Sequence, residues 1–311
     1  MFKINKPYGL MFHHFHDNNH VKGQGSITSL EFKSIIEFYS NNFNLLSAEI
    51  FLEKFRLKDL NKDDVCITFD DNLKCQYDIA LPVLNEFRIK AFWFVYSSPL
   101  NGYFEKLETL RYFRSYFFTS FFEFYEAFFE ELKFFKKFDT VFKDLEDFDF
   151  NNYLKDFSFY TKEDKIFRYT RDNLLGEKNY FEVMDSMLKK SKISLNSKLH
   201  NNLWMSTTEI KKLKNDGHVI GLHSHNHPTK MGEKSYKYQE SNYIKNKLIL
   251  ENITKDNIIC MSHPCNSYNK DTLNILKKID IKLGFRANLV EGFNSELEIP
   301  RLDHSEILKF L

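Results

Sequence analysis

Apolar and polar positions along this chain follow two periods in turn. Short apolar runs that end on polar residues read as buried strands at 9–14, 65–69, 91–96, 218–222 and 258–262, with briefer ones near 281–286 and 298–302. Between them, apolar residues recur three and four positions apart, as on an amphipathic helix. Leu30, Ile35, Ile36 and Tyr39 form one such stripe behind Thr28-Ser-Leu-Glu31, which has the pattern of a capping box. Ser206-Thr-Thr-Glu209 is a second box, opening a helix that Asn215-Asp216-Gly217 should stop. Further helices are expected over 48–57, 73–87, 233–254 and 270–279. Strands alternating with helices argue for an α/β fold of parallel strands and helical crossovers.

Between residues 102 and 202 this rhythm breaks. Phe and Tyr appear there at mixed spacings among Glu and Lys, with no clear strand, so the segment reads as a mostly helical insertion. The parent domain is then 1–101 plus 203–311. The plain role for the insertion is helical packing; a cover over the substrate or a surface for homo-oligomer formation are the other uses considered. More than half of the 34 Phe lie in this insertion, yet charges recur every few residues, which excludes a membrane anchor.

Composition narrows the function classes. The chain has 311 residues, 44 Lys+Arg against 43 Asp+Glu and a net charge of +1, so it lacks the electrostatic footprint of a nucleic-acid binder. No apolar run reaches the roughly 18 residues of a membrane span. Cys66, Cys75, Cys260 and Cys265 form no CxxC pair. With no apolar leader at the N-terminus, a cytoplasmic location is expected.

The 11 His are not dispersed: four lie between His13 and His20, and four between His218 and His227. His223 and His227 stand four apart at the mouth of one expected strand, and Asp70-Asp71 follows another. Adjacent carboxylates at a buried strand end are costly unless something binds them. Two imidazoles and a carboxylate from different strands suit zinc or a related ion with one position left open.

These residues resemble a known family. Thr68-Phe-Asp-Asp-Asn72 is similar to the TFDDG signature of polysaccharide deacetylases (NodB homology, carbohydrate esterase family 4), and His223-Ser-His-Asn-His227-Pro228 is similar to their second motif. Ser262-His-Pro-Cys265 resembles the third motif, and Pro300-Arg-Leu-Asp-His304 sits where the last, His-bearing motif belongs. The resemblance spans residues 8–98 and 203–304. It implies a distorted (β/α) barrel of about seven strands and metal-dependent removal of an N-acetyl group from an amino sugar or glycan precursor. By this resemblance Asp71, His223 and His227 hold one divalent metal, zinc being the expected ion, and Asp70 is the general base. The backbone N–H of Cys265 stabilises the oxyanion, and His304 protonates the departing amine.

Two departures carry consequences. Asn72 stands for the usual Gly, and Ser262 and Cys265 stand for the usual Arg and aromatic residue of the third motif. Without a cation Asp70 would be a poor base, so Arg301, or failing that Arg286, is expected to supply the charge from a later strand end. His13 and His14, after the first strand, are candidate substrate contacts, with core packing and a further metal ligand as the other readings. His225 is expected to face away from the metal, on the surface or behind the ligands. A catalytically impaired glycan-binding relative and a metal-dependent hydrolase of a non-sugar amide are the competing readings.

Overall fold

The computed structural model describes residues 4–154, 160–292, 295–309 and 311. The chain divides into two compact units, Met1–Glu105 with Asn196–Leu311, and Lys106–Leu195. Among the described residues the first unit holds an eight-stranded parallel sheet: β1 (Tyr8–Phe12), β2 (Asn44–Leu46), β3 (Asp64–Phe69), β4 (Phe92–Val95), β5 (Val219–Leu222), β6 (Cys260–Ser262), β7 (Leu283–Phe285) and β8 (Arg301–Asp303). Seven strands run in the order β7-β6-β5-β4-β3-β1-β8, and β2 pairs with β3 beside that path. The segment leading into β8 returns to β7, where Arg286 N–H donates to Ile299 O at 3.0 Å and Ile299 N–H to Gly284 O at 2.8 Å. The sheet thus curls into a nearly closed barrel of seven parallel strands, the distorted (β/α) barrel implied by the motifs.

Helices α1 (Ser29–Asn42), α2 (Ala48–Arg56) and α3 (Leu81–Phe87) lie in the first half of this unit. The second unit carries α4 (Lys106–Phe117), α5 (Phe121–Lys133), α6 (Asp139–Glu146), α7 (Lys162–Tyr169) and α8 (Gly176–Ser191). Its own core joins Phe113, Phe124, Phe128, Leu132, Phe167, Val183 and Met184. The first unit resumes with α9 (Ser197–Leu203), α10 (Thr207–Asn215), α11 (Tyr236–Thr254), α12 (Lys270–Lys278) and α13 (His304–Ile307). Both capping boxes form: Thr28 Oγ1 accepts from Glu31 N–H at 3.2 Å, and Ser206 Oγ from Glu209 N–H at 3.3 Å.

Three expectations are corrected. Strand β2 escaped notice because three residues are too few to show a period. The helix expected over 73–87 opens with a wide π-type turn, Gln76–Ala80, before α3 begins. The last strand is Arg301–Asp303 rather than 298–302, since Ile299 is already spent against β7.

Strands β4 and β7 are three places apart in the sheet, yet the Phe285 ring lies 5.3 Å from Phe92 and 5.5 Å from Phe94. Those contacts therefore run across the barrel, and Phe51 of α2 joins them. Gly221 of β5 leaves the space they need, because a Cβ there would stand 2.5 Å from the Phe94 ring and 2.9 Å from Cys260 O. Phe285→Ala should cost about 3–5 kcal/mol, the range for emptying a buried aromatic site. Urea midpoints at unchanged m-value check this; a loss below about 1 kcal/mol would mean that the barrel interior collapses around the gap.

Candidate metal centre

In the ladder Phe12 of β1 pairs with Phe69 of β3, so the next residues, His13 and Asp70, leave adjacent strands at one level. Asp71 and Asn72 then turn the chain with φ of 79° and 56°. This left-handed region is uncommon for residues with a Cβ and is best tolerated by Asn and Asp, which explains why Asn72 can replace a glycine. His223 directly follows β5, and His227 closes its loop with φ of 49°.

Asp71 Oδ1 lies 3.3 Å from His223 Nε2 and 3.2 Å from His227 Nε2. Donors about 2.0–2.2 Å from a tetrahedral zinc would be separated by roughly 3.3–3.5 Å. The same Asp71 oxygen is buried and accepts no hydrogen bond, an orphan that a cation would satisfy. One ligand atom from each of the three side chains lies within 4.8 Å of the others. Burial alone would raise the Asp71 carboxyl, but the imidazoles of His227 and His223 hold it well below the ordinary range. His227 is pulled down by burial and up by Asp71, and the net shift is upward.

The backing of these ligands is equally specific. His223 Nδ1 lies 3.0 Å from Ser262 O and 2.7 Å from Ser262 Oγ. Ser262 Oγ–H donates to Asp70 Oδ1 at 3.0 Å, so its oxygen and the carbonyl are left to accept the proton on Nδ1. Nε2 then presents its lone pair to Asp71's side of the site. Behind the histidine loop, Asn246 Oδ1 accepts from His223 N–H at 3.1 Å and Asn242 Oδ1 from His225 N–H at 2.7 Å. His225 does face away from the ligands, but it is buried rather than superficial, with Nδ1 2.9 Å from Ser97 Oγ. Burial pushes its imidazole down to about 4.

Asp70 takes a different partner. Arg301 Nη1 donates to Asp70 Oδ1 and Nη2 to Oδ2, both at 2.7 Å, with the Arg301 side chain fully buried. Burial would raise this carboxyl; the guanidinium overcomes it and brings the pKa to about 2. Arg301 opens β8 instead of arriving at its end, and it reaches Asp70 through the barrel interior. Arg286 is bound to Glu298 O, Asn288 and Val290 O, and its own carbonyl accepts from Arg301.

The remaining candidates separate. His13 Nε2 stands 3.8 Å from Asp70 Oδ2 and 4.0 Å from Asp71 Oδ2 while keeping partial exposure. The half-buried His14 ring lies against it, centroids 6.3 Å apart. His304 is buried, its Nε2 2.8 Å from Gly25 O and its ring stacked on Phe12. Cys265 is exposed in a short turn after β6, with φ of 50°. Sequence reasoning passed over Gln76 and Asn246, whose only signal is polarity at positions that prove fully buried.

The family model for polysaccharide deacetylase matches residues 162–284, a stretch containing the histidine loop and Ser262. Over that stretch the chain is similar to polysaccharide deacetylases. Members are hydrolases acting on carbon–nitrogen bonds other than peptide bonds. The Asp70-Asp71 pair lies outside the matched stretch, and the fold brings it to the deacetylase histidines. Among solved structures, the chain is similar to a de-N-acetylase from Aggregatibacter actinomycetemcomitans (13% identity, TM-score 0.57, covering 99% of this chain and 100% of that one). It is also similar to the Streptococcus pyogenes deacetylase PplD in complex with acetate (16%, 0.55, 98% and 97%) and to IcaB from Ammonifex degensii (12%, 0.55, 96% and 91%). At these identities the likeness is one of fold. Comparison with curated proteins gives no match.

A site of this donor set must lose its protons to take a metal. Because the His227 pKa is raised, zinc affinity of the metal-free protein should climb as pH rises through the neutral range and fall as pH drops. One displaced proton corresponds to about tenfold in affinity per pH unit. Calorimetric titration of zinc between about pH 6 and 8 checks this. An affinity independent of pH across that span would contradict the assignment of His227.

Proposed function

We propose that this chain is a metal-dependent N-deacetylase acting on an amino sugar or glycan precursor. The observation that carries the reading is the split between two neighbouring carboxylates. Asp71 faces two imidazoles, while Asp70 is bound by Arg301 and stays outside the ligand set. Asp71, His223 and His227 would hold the ion, zinc by the chemistry of the donors. Once bound, a divalent metal supplies Lewis acidity that polarises an amide carbonyl and makes a water more acidic. Asp70, ionised and fixed by two hydrogen bonds, takes the proton from the attacking water as its oxygen bonds to the carbonyl carbon. The backbone N–H of Cys265 donates to the carbonyl oxygen as charge develops on it.

The amine must gain a proton as the C–N bond breaks. We assign that proton to His13, which stands beside both carboxylates, in place of His304, whose Nε2 is committed to the Gly25 carbonyl. His14 is left as a substrate contact. The products are acetate and the free amino sugar. Ser262 and Cys265, in place of the third motif's Arg and aromatic residue, favour a catalytically impaired relative; Arg301 on Asp70 supports the hydrolytic reading instead.

Acetate release from an oligomer of N-acetylglucosamine, measured at saturating zinc, tests this. Asp70→Asn should keep its zinc and lose a factor on the order of 10²–10⁴, and His13→Asn should fall into the same range. His304→Asn should stay within about tenfold of wild type. Acetate released from an acetyl-lysine peptide and not from the sugar would overturn the substrate class, and release from neither would overturn the reading.

A further inference from the structure

Gln76 has no exposed surface and occupies the first position of the wide turn Gln76–Ala80, just beyond Asp71 and Asn72. Its carboxamide reaches two strand ends at once. Nε2 donates to the carbonyl of His13 at 2.8 Å and to the carbonyl of Asp70 at 2.6 Å, while Oε1 accepts from Leu73 N–H at 3.3 Å. Both amide hydrogens are spent on the main chain of the two residues assigned as proton donor and base. The Asp70 carbonyl belongs to the peptide that joins that base to the ligand Asp71, and the two residues after that peptide hold left-handed φ values. Nothing else in the side-chain hydrogen bonding ties His13 to the Asp70–Asp71 turn through the backbone, among the described residues.

We propose that Gln76 is a positioning residue, clasping the ends of β1 and β3 so that His13 stands beside Asp70 and Asp71 stays turned toward His223 and His227. The kinetic half of this inference rests on the deacetylase reading; the half that concerns Asp71 does not.

Gln76→Met keeps length and volume and removes both donors. Gln239→Met is the control: Gln239 is equally buried and hydrogen-bonded, to Lys234 O and Thr272, but touches none of the site residues. Two readouts are taken on each folded variant, zinc binding by calorimetry with zinc alone, and kcat and KM on N-acetylglucosamine oligomers at saturating zinc. Gln76→Met should bind zinc at least about threefold more weakly and lose at least about tenfold in kcat with KM within about twofold, in line with losses at residues that orient ligands. Gln239→Met should lower Tm comparably while leaving both readouts within about twofold. Zinc affinity of Gln76→Met indistinguishable from wild type, or equal losses in the two variants, would overturn the proposal. If wild type releases no acetate from the oligomer, the deacetylase reading fails while the zinc comparison still decides the clasp.

Discussion

A charged pair buried in the middle of a barrel governs how the strand ends are arranged. Arg301 donates Nε–H to Arg286 O at 2.9 Å, Nη1 to Thr68 Oγ1 at 3.2 Å and both terminal nitrogens to Asp70. Taking two such charges out of water costs several kcal/mol each, and only near-complete pairing offsets that cost. Gly9 of β1 makes the route available: a Cβ there would stand 3.2 Å from Arg301 Cγ and 3.0 Å from Thr68 Cγ2. The guanidinium also lies 5.8 Å from the Phe94 ring, so the residues that fill the barrel and the residue that charges its mouth share one space. The pair spans β1, from the first residue of β8 to the residue that follows β3.

The histidine loop depends on a second buried polar layer. Helix α11 turns Asn242 and Asn246 inward, and Asn246 alone bonds His223 N–H, Val95 O and Ser97 Oγ. These amides satisfy the backbone of a loop that has left its strand, so left-handed residues such as Ser224 and His227 can be held there. The places of His223 and His227 are therefore held by β5, α11 and Ser262 together.

Much of this was legible in the sequence, for physical reasons that differ by element. The apolar runs before Asp70 and His223 are buried strands and announce themselves; the two capping boxes do the same for α1 and α10. Placing the Asp70-Asp71 pair beside His223 and His227 needed only two strand ends on one face of a parallel barrel; the choice of Asp71 as ligand came from the resemblance of the motifs. What stayed hidden is polar burial. Nothing in the spacing of Gln76, Asn242 or Asn246 separates them from surface residues, and for the same reason His225 is left open between the surface and a place behind the ligands. His304 drew attention by its motif position, whereas its ring is engaged by Phe12 and Gly25, contacts across distant parts of the chain. Arg301 could be nominated from the charge that Ser262 cannot supply, but its path through the barrel required the fold.

The pH–rate profile of Arg301→Met at saturating zinc tests the account most directly. With Arg301 in place, the pKa of Asp70 lies near 2, so the base is ionised throughout the neutral range and is lost only in strong acid. Without the guanidinium, the imidazoles of His223 and His13 are left to oppose desolvation, and the carboxyl should rise. The acidic limb of kcat/KM should therefore move to higher pH by at least about one unit, while Arg301→Lys, which keeps the charge and loses the fork, should move it less. An acidic limb in Arg301→Met that coincides with wild type would contradict the claim that this buried pair keeps the base ready to act.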